Sequence, residues 1–170
     1  INRIAPTEID TVFRMRHIRG QVHDENAFAL GGVAGHAGLF SSGRDMAVFA
    51  QMMLNRGYYG GRRYVDPATV ATFTHRQSEQ SSRALGWDTP SDGSSAGQLF
   101  SAQSYGHTGF TGPSIWIDPE RDVFLVVLLN RVNPTRDNQL HIPLRRDLAD
   151  AVQRAIVDMP VTPRADSIVQ

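Results

Sequence analysis

Residues 106–112 read GHTGFTG, placing one histidine, two threonines and three glycines within seven positions. Imidazole and hydroxyl groups can donate to a polar substrate, and glycine leaves the backbone open to close approach. Small residues on a sheet edge let an extended substrate pair with the strand, and Gly109 removes the side chain that would obstruct it. The segment is thus a candidate wall of an active site. A plainer reading makes the glycines a bulge and His107 an ordinary strand residue.

Other reactive patterns carry less. Gly93-Ser94-Ser95-Ala96-Gly97 matches G-x-S-x-G, but neither flank is the apolar strand that such a strained elbow needs, so a flexible loop is expected. His23-Asp24-Glu25 matches H-x-E, yet its zinc partner motif requires cysteines, and the chain contains none. His17, His23 and His36 fit no ligand spacing, so no metal is expected. All 17 basic residues are arginines, which excludes a lysine base or Schiff base within these residues.

Net charge is zero, which gives no reason to expect nucleic acid as a partner. The 170 residues, 41% of them apolar, suffice for one domain with a real core. No apolar run approaches the roughly 18 residues of a membrane-spanning helix, so no transmembrane segment is expected.

The elements that must hold residues 106–112 can be read from periodicity. Residues 1–30 have scattered apolar positions and read mostly as loop. Five glycines in residues 30–43 precede a helix with Ser42 as N-cap, Asp45 three residues on, and Met46, Phe49, Ala50, Met53 and Leu54 on one face. Phe49 and Met53 are expected to point inward, and Gly57 to close the helix. Tyr58 to Val65 reads as a hairpin turning at Gly60-Gly61, and Asp66-Pro67 opens a second helix. Residues 83–88 read as a short strand and 89–97 as a polar loop. Residues 114–118 and 123–130 read as an antiparallel pair, with the apolar run 123–129 as a central, covered strand. Leu144, Leu148, Val152, Ala155 and Ile156 mark a last helix with its charges turned outward. Helices before and after an antiparallel hairpin make an α+β fold, an antiparallel sheet flanked by helices.

GHTGFTG, then a strand, DPERD and an apolar strand ending in LLNR, resembles the third active-site motif of serine β-lactamase-like hydrolases. This is the family of class C β-lactamases, D-alanyl-D-alanine carboxypeptidases and esterases. Its usual form is Lys-Thr-Gly, and His107-Thr108-Gly109 is similar to the His-Thr-Gly variant. Residues 22–61 resemble the family's glycine-rich segment and following helix, most like bacterial serine hydrolase domains joined in some proteins to β-N-acetylglucosaminidases. The likeness covers roughly residues 20–135.

The resemblance implies a β-lactamase/transpeptidase-like fold and hydrolysis of an amide or ester through an acyl-serine, without a cofactor. The Phe110 N–H would be an oxyanion donor, a role worth about 3 kcal/mol. Thr108 would donate its hydroxyl to the substrate, and His107 would stand where the lysine stands, its charge dependent on pH near neutrality. Gly109 and Thr111 would line the substrate. A β-lactam, a peptidoglycan-type D-Ala-D-Ala peptide or a small ester would each suit, in a bacterial cell envelope or secreted setting.

The family's nucleophile lies in Ser-x-x-Lys, and its second motif is Tyr-x-Asn or Ser-x-Asn; the 12 serines and 4 tyrosines here offer neither. Residues 1–160 are therefore expected to be the C-terminal part of a hydrolase domain, with 161–170 a polar tail. The nucleophile would lie in a missing N-terminal part, the partner of this one, and the chain alone would be inactive. The alternative from another class is a non-catalytic module binding peptide or glycan in the same groove.

Overall fold

A computed structural model describes residues 3–159 and 161–164. Its core is a three-stranded antiparallel sheet of β5 (Tyr105–Thr108), β6 (Ser114–Asp118) and β7 (Val123–Val127), in that order. Alternation along β6 sends Ile115 and Ile117 to one face and Trp116 to the other. The first face packs on α2 (Gly43–Leu54) through Ala50 and Met53, and on Val70 of α3 (Pro67–Thr74). The second carries Phe100, Ala96 and Ala149 of α4 (His141–Arg154). Helices thus cover both faces of an α+β core.

The anticipated helix starts are present. The Ser42 Oγ accepts from the Asp45 N–H at 3.2 Å, and the Asp66 carboxylate accepts from Ala68 N–H at 2.9 Å with Pro67 at the first helical position. The end of α2 differs by one residue from expectation: Arg56, at φ +51°, takes the left-handed position expected of Gly57, while the Gly57 N–H closes the helix onto the Met52 carbonyl at 2.8 Å, and a Cβ on Gly57 would have no room beside the Val65 carbonyl. β3 (Tyr58–Tyr59) and β4 (Arg62–Arg63) form the hairpin turning at Gly60-Gly61.

Five expectations are corrected. First, β6, not β7, is the central strand, and every residue of β6 is buried. β7 forms an edge among the described residues; only Val127 in it is fully buried, and Leu128 is already exposed. An apolar run reports what will be covered, not which strand lies in the middle. Second, residues 6–19 are a hairpin of β1 (Pro6–Asp10) and β2 (Arg16–Arg19), followed by α1 (Glu25–Ala29). Polar groups organise it: the Asp10 carboxylate accepts from the N–H groups of Val12, Phe13 and Arg14 at 2.8–3.0 Å, and Asp24 caps α1 through Ala27 N–H.

Third, residues 83–88 are a tight turn in which Arg83 bridges Asp88, not a strand. Fourth, α4 turns Arg145, Ala149 and Gln153 inward, while Leu144 is exposed and Leu148 half-buried. The polar residues win that face because buried acceptors await them: Gln153 Nε2 donates to Asp118 Oδ2 at 3.3 Å, and Arg145 to backbone carbonyls. Fifth, Met53 is buried as expected, but Phe49 is half exposed and stacks on Trp87 at 6.1 Å.

Candidate active site

β5 is the other edge of the sheet. Its outer side is occupied at Gly106, which exchanges backbone hydrogen bonds with Asp88 at 2.7 and 2.9 Å. Gly106 has no room for a Cβ, since the Trp116 ring lies against it. His107 and Thr108 follow, both exposed, opposite Ile115 and Ser114 of β6. The Arg83 Nη1 donates to His107 Nε2 at 3.1 Å, which leaves the proton of a neutral ring on Nδ1, facing the Thr108 carbonyl at 2.9 Å.

The strand ends in a turn fixed by backbone bonds, Gly109 N–H to Pro113 O at 2.8 Å and Gly112 N–H to Gly109 O at 3.1 Å. Gly112 has φ +132°, and the Leu129 carbonyl occupies the space a Cβ would need. Between these bonds, the Phe110 N–H has no acceptor among the described residues. The exposed Phe110 ring has the His23 imidazole 5.6 Å away and near-parallel, and the Arg131 guanidinium 4.1 Å from its centroid.

His23 is held in turn. Its Nε2 lies 2.8 Å from Glu8 Oε2, and Glu8 receives a two-pronged bond from Arg136, which also reaches Glu25 at 2.9 Å. The Arg136 guanidinium holds the Glu8 carboxyl down at about 2, against the opposing effect of burial. Sequence reasoning missed Glu8, Arg83, Arg131 and Arg145. The available signal for Arg145 was its i, i+4, i+8 spacing with Ala149 and Gln153.

The structure brings His107, Thr108, Gly109, Phe110 and Thr111 together on one open edge, not in an enclosed cleft. A cavity of about 1,400 Å³ lies elsewhere, between α3, residues 89–98 and α4, and touches β5 only at Tyr105. Ser95, in the G-x-S-x-G match, accepts from the Trp116 indole at 2.8 Å within a turn. His36 pairs with Asp24 at 2.9 Å.

A family model described as Beta-lactamase matches residues 5–150. The chain belongs to the beta-lactamase family. Proteins of Salmonella gallinarum and Salmonella paratyphi B, assigned as D-alanyl-D-alanine carboxypeptidases, are each 46% identical over 143 residues, which is 76% of this chain and 33% of theirs. The chain thus spans about a third of the length of these relatives. A crystal structure of a beta-lactamase from Mycobacterium bovis aligns with a TM-score of 0.58 and 25% identity, over 70% of this chain and 46% of that one. Relatives and family alike carry the names of hydrolases, and this beta-lactamase-family chain presents the His-Thr-Gly strand at its sheet edge.

Proposed function

We propose that these residues form the C-terminal part of a serine hydrolase domain that cleaves an amide or ester through an acyl-serine. The observation that carries the reading is the unspent Phe110 N–H at the end of an edge strand bearing His107 and Thr108. A donor left free beside an open strand can serve the negative charge that develops on a carbonyl oxygen under attack. The substrate backbone would lie along β5, against Gly109 and Thr111, with the Thr108 hydroxyl donating to its carboxylate or acyl group. His107, held by Arg83, would present its ring at the same edge. The serine and its base would come from outside these 170 residues, and the relatives' names favour a D-Ala-terminated peptide over the other candidates.

The intact hydrolase should form a serine adduct, detected by mass spectrometry, with a fluorescent penicillin, and should release D-alanine from a D-Ala-D-Ala peptide or p-nitrophenol from an ester. Thr108→Ala should slow acylation about tenfold or more while leaving the melting temperature within a few degrees. A folded intact protein that forms no adduct and turns over none of the three substrates would overturn the reading.

A further inference from the structure

Two arginines stand behind the site in an unusual state. Arg131 and Arg145 are 8% and 6% exposed, and among the described residues neither pairs with a carboxylate. Both spend their charge on backbone carbonyls, and most of those carbonyls belong to one turn. Arg145 donates to Gly109 O at 2.9 Å, to Gly112 O at 3.0 Å through Nε, and to Pro113 O at 2.9 Å. Arg131 donates to Phe110 O at 2.7 Å through Nε and to the Arg136 and Asn138 carbonyls through Nη1, and its own backbone N–H donates to Thr111 O at 3.0 Å. All five carbonyls from residue 109 to residue 113 except that of Thr111 are thereby taken by a guanidinium.

Burying two like charges without counter-ions is costly. The burial of Arg145 and the nearby charge of Arg131 both depress its basicity. A neutral side chain of similar volume would spare that cost, so the bonds to these carbonyls are what the charges serve: for Arg145 all of them in the turn, for Arg131 the Phe110 carbonyl together with those of Arg136 and Asn138.

We infer that Arg131 and Arg145 are positioning residues that aim and strengthen the Phe110 N–H as an oxyanion donor; the inference rests on the reading given under Proposed function. The geometric step follows from the peptide bond. The Gly109–Phe110 peptide is trans and planar, so its C=O and N–H point in opposite directions. Arg145 holds the Gly109 oxygen on the buried side, which turns the Phe110 N–H away from α4 and toward the open edge. Arg131 holds the next peptide through the Phe110 oxygen and stacks its guanidinium on the Phe110 ring. The electrostatic step acts on the same atoms. A cation on a carbonyl oxygen polarises its peptide and makes the N–H at the other end a better donor. Two buried positive charges behind the donor also favour an oxyanion in front of it.

The test uses the intact hydrolase, with Arg145→Gln and Arg131→Gln beside the milder Arg145→Lys and Arg131→Lys. Each is assayed with an ester and its thionoester twin, whose sulfur is a poor hydrogen-bond acceptor, and with an arylboronic acid that mimics the tetrahedral adduct. We expect R145Q to lower kcat about tenfold to a hundredfold, below the full loss of one oxyanion donor, with KM changed less than about threefold. Boronate affinity should fall by the same factor as kcat, the ester-to-thionoester rate ratio should shrink, and R145K should recover part of each. A lower melting temperature with unchanged kcat, rate ratio and boronate affinity would overturn the inference, leaving the arginines as staples of the turn. Should R145Q not fold, R145K and R131K are read by the same measures. A wild type that acylates without discriminating against the thionoester overturns this inference alone. A folded wild type that never acylates overturns the proposed function, and the inference with it.

Discussion

Glu8 is a buried carboxylate whose partners come from two distant parts of the chain: His23 from one, Arg136 from the other, with Arg136 tying in Glu25 beside His23. Arg136 lowers its carboxyl to about 2 from an ordinary value of 4.5. A carboxyl depressed on folding stabilises the folded state fully above its unfolded value, and loses that contribution as pH falls through the folded one. Comparing wild type with Glu8→Gln by urea unfolding should therefore show the largest difference at neutral pH, shrinking between about pH 4.5 and pH 2. A difference that stays constant across that window would mean the charge of Glu8 is not what matters. At the same scale, the residues around Phe110 show why the site was only half legible. The glycines, threonines and histidine of the strand stand together in sequence, and their types announce chemistry. Arg131 and Arg145 lie 21 and 35 positions from Phe110, and nothing local marks their guanidinium groups as partners of residues 109–113.

The entries of α2 and α3 were legible because a cap is a local arrangement between a side chain and the next few N–H groups, followed there by a helix long enough for its periodicity to show. Ser42 makes that bond to Asp45, and Ser42→Ala should cost about 1 kcal/mol in thermal or urea unfolding. Strand order was not legible, because it depends on which partners the chain provides. The sheet order β5-β6-β7 puts the fully buried β6 in the middle although β7 is the more continuous apolar run. β1, β2 and α1 escaped notice for another reason: strands of five and four residues leave too few positions for alternation to show, and Asp10 and Asp24 organise them by hydrogen bonds instead. The turn after β5 yields the sharpest prediction for an element. Gly112→Ala demands a conformation that L-residues avoid and a Cβ in the space of the Leu129 carbonyl. It should destabilise by on the order of 2 kcal/mol and displace the turn that carries the Phe110 N–H.

For the molecule as a whole, the exposed apolar side chains set its behaviour. Val12 (88%) and Leu39 (100%) are nearly bare, Met15, Leu30 and Val33 are little better covered, and the outer edge of β7 has no partner strand among the described residues. Roughly 300 Å² of apolar surface left wet forfeits about 7 kcal/mol, against a typical domain stability of about 5–15 kcal/mol. The 170 residues expressed by themselves should bind ANS or self-associate, and should hydrolyse neither nitrocefin nor p-nitrophenyl esters. A sharp, reversible melt of a monomer without ANS binding would show that the packing around α2 and α4 suffices alone.

Trp116 and Trp87, the only two tryptophans, stand on opposite sides of the sheet. Trp116 is sealed beside Phe100 with its indole bonded to Ser95, while Trp87 is half-buried between Phe49 and Tyr105. The protein therefore carries two built-in optical reporters, one for each layer. In Trp87→Phe the remaining emission should be blue-shifted and poorly quenched by acrylamide until the α4 layer separates from the sheet. In Trp116→Phe it should be redder, more accessible and sensitive to the α2 layer. Unfolding curves from the two variants that fail to coincide would reveal that the two faces of this sheet come apart at different times.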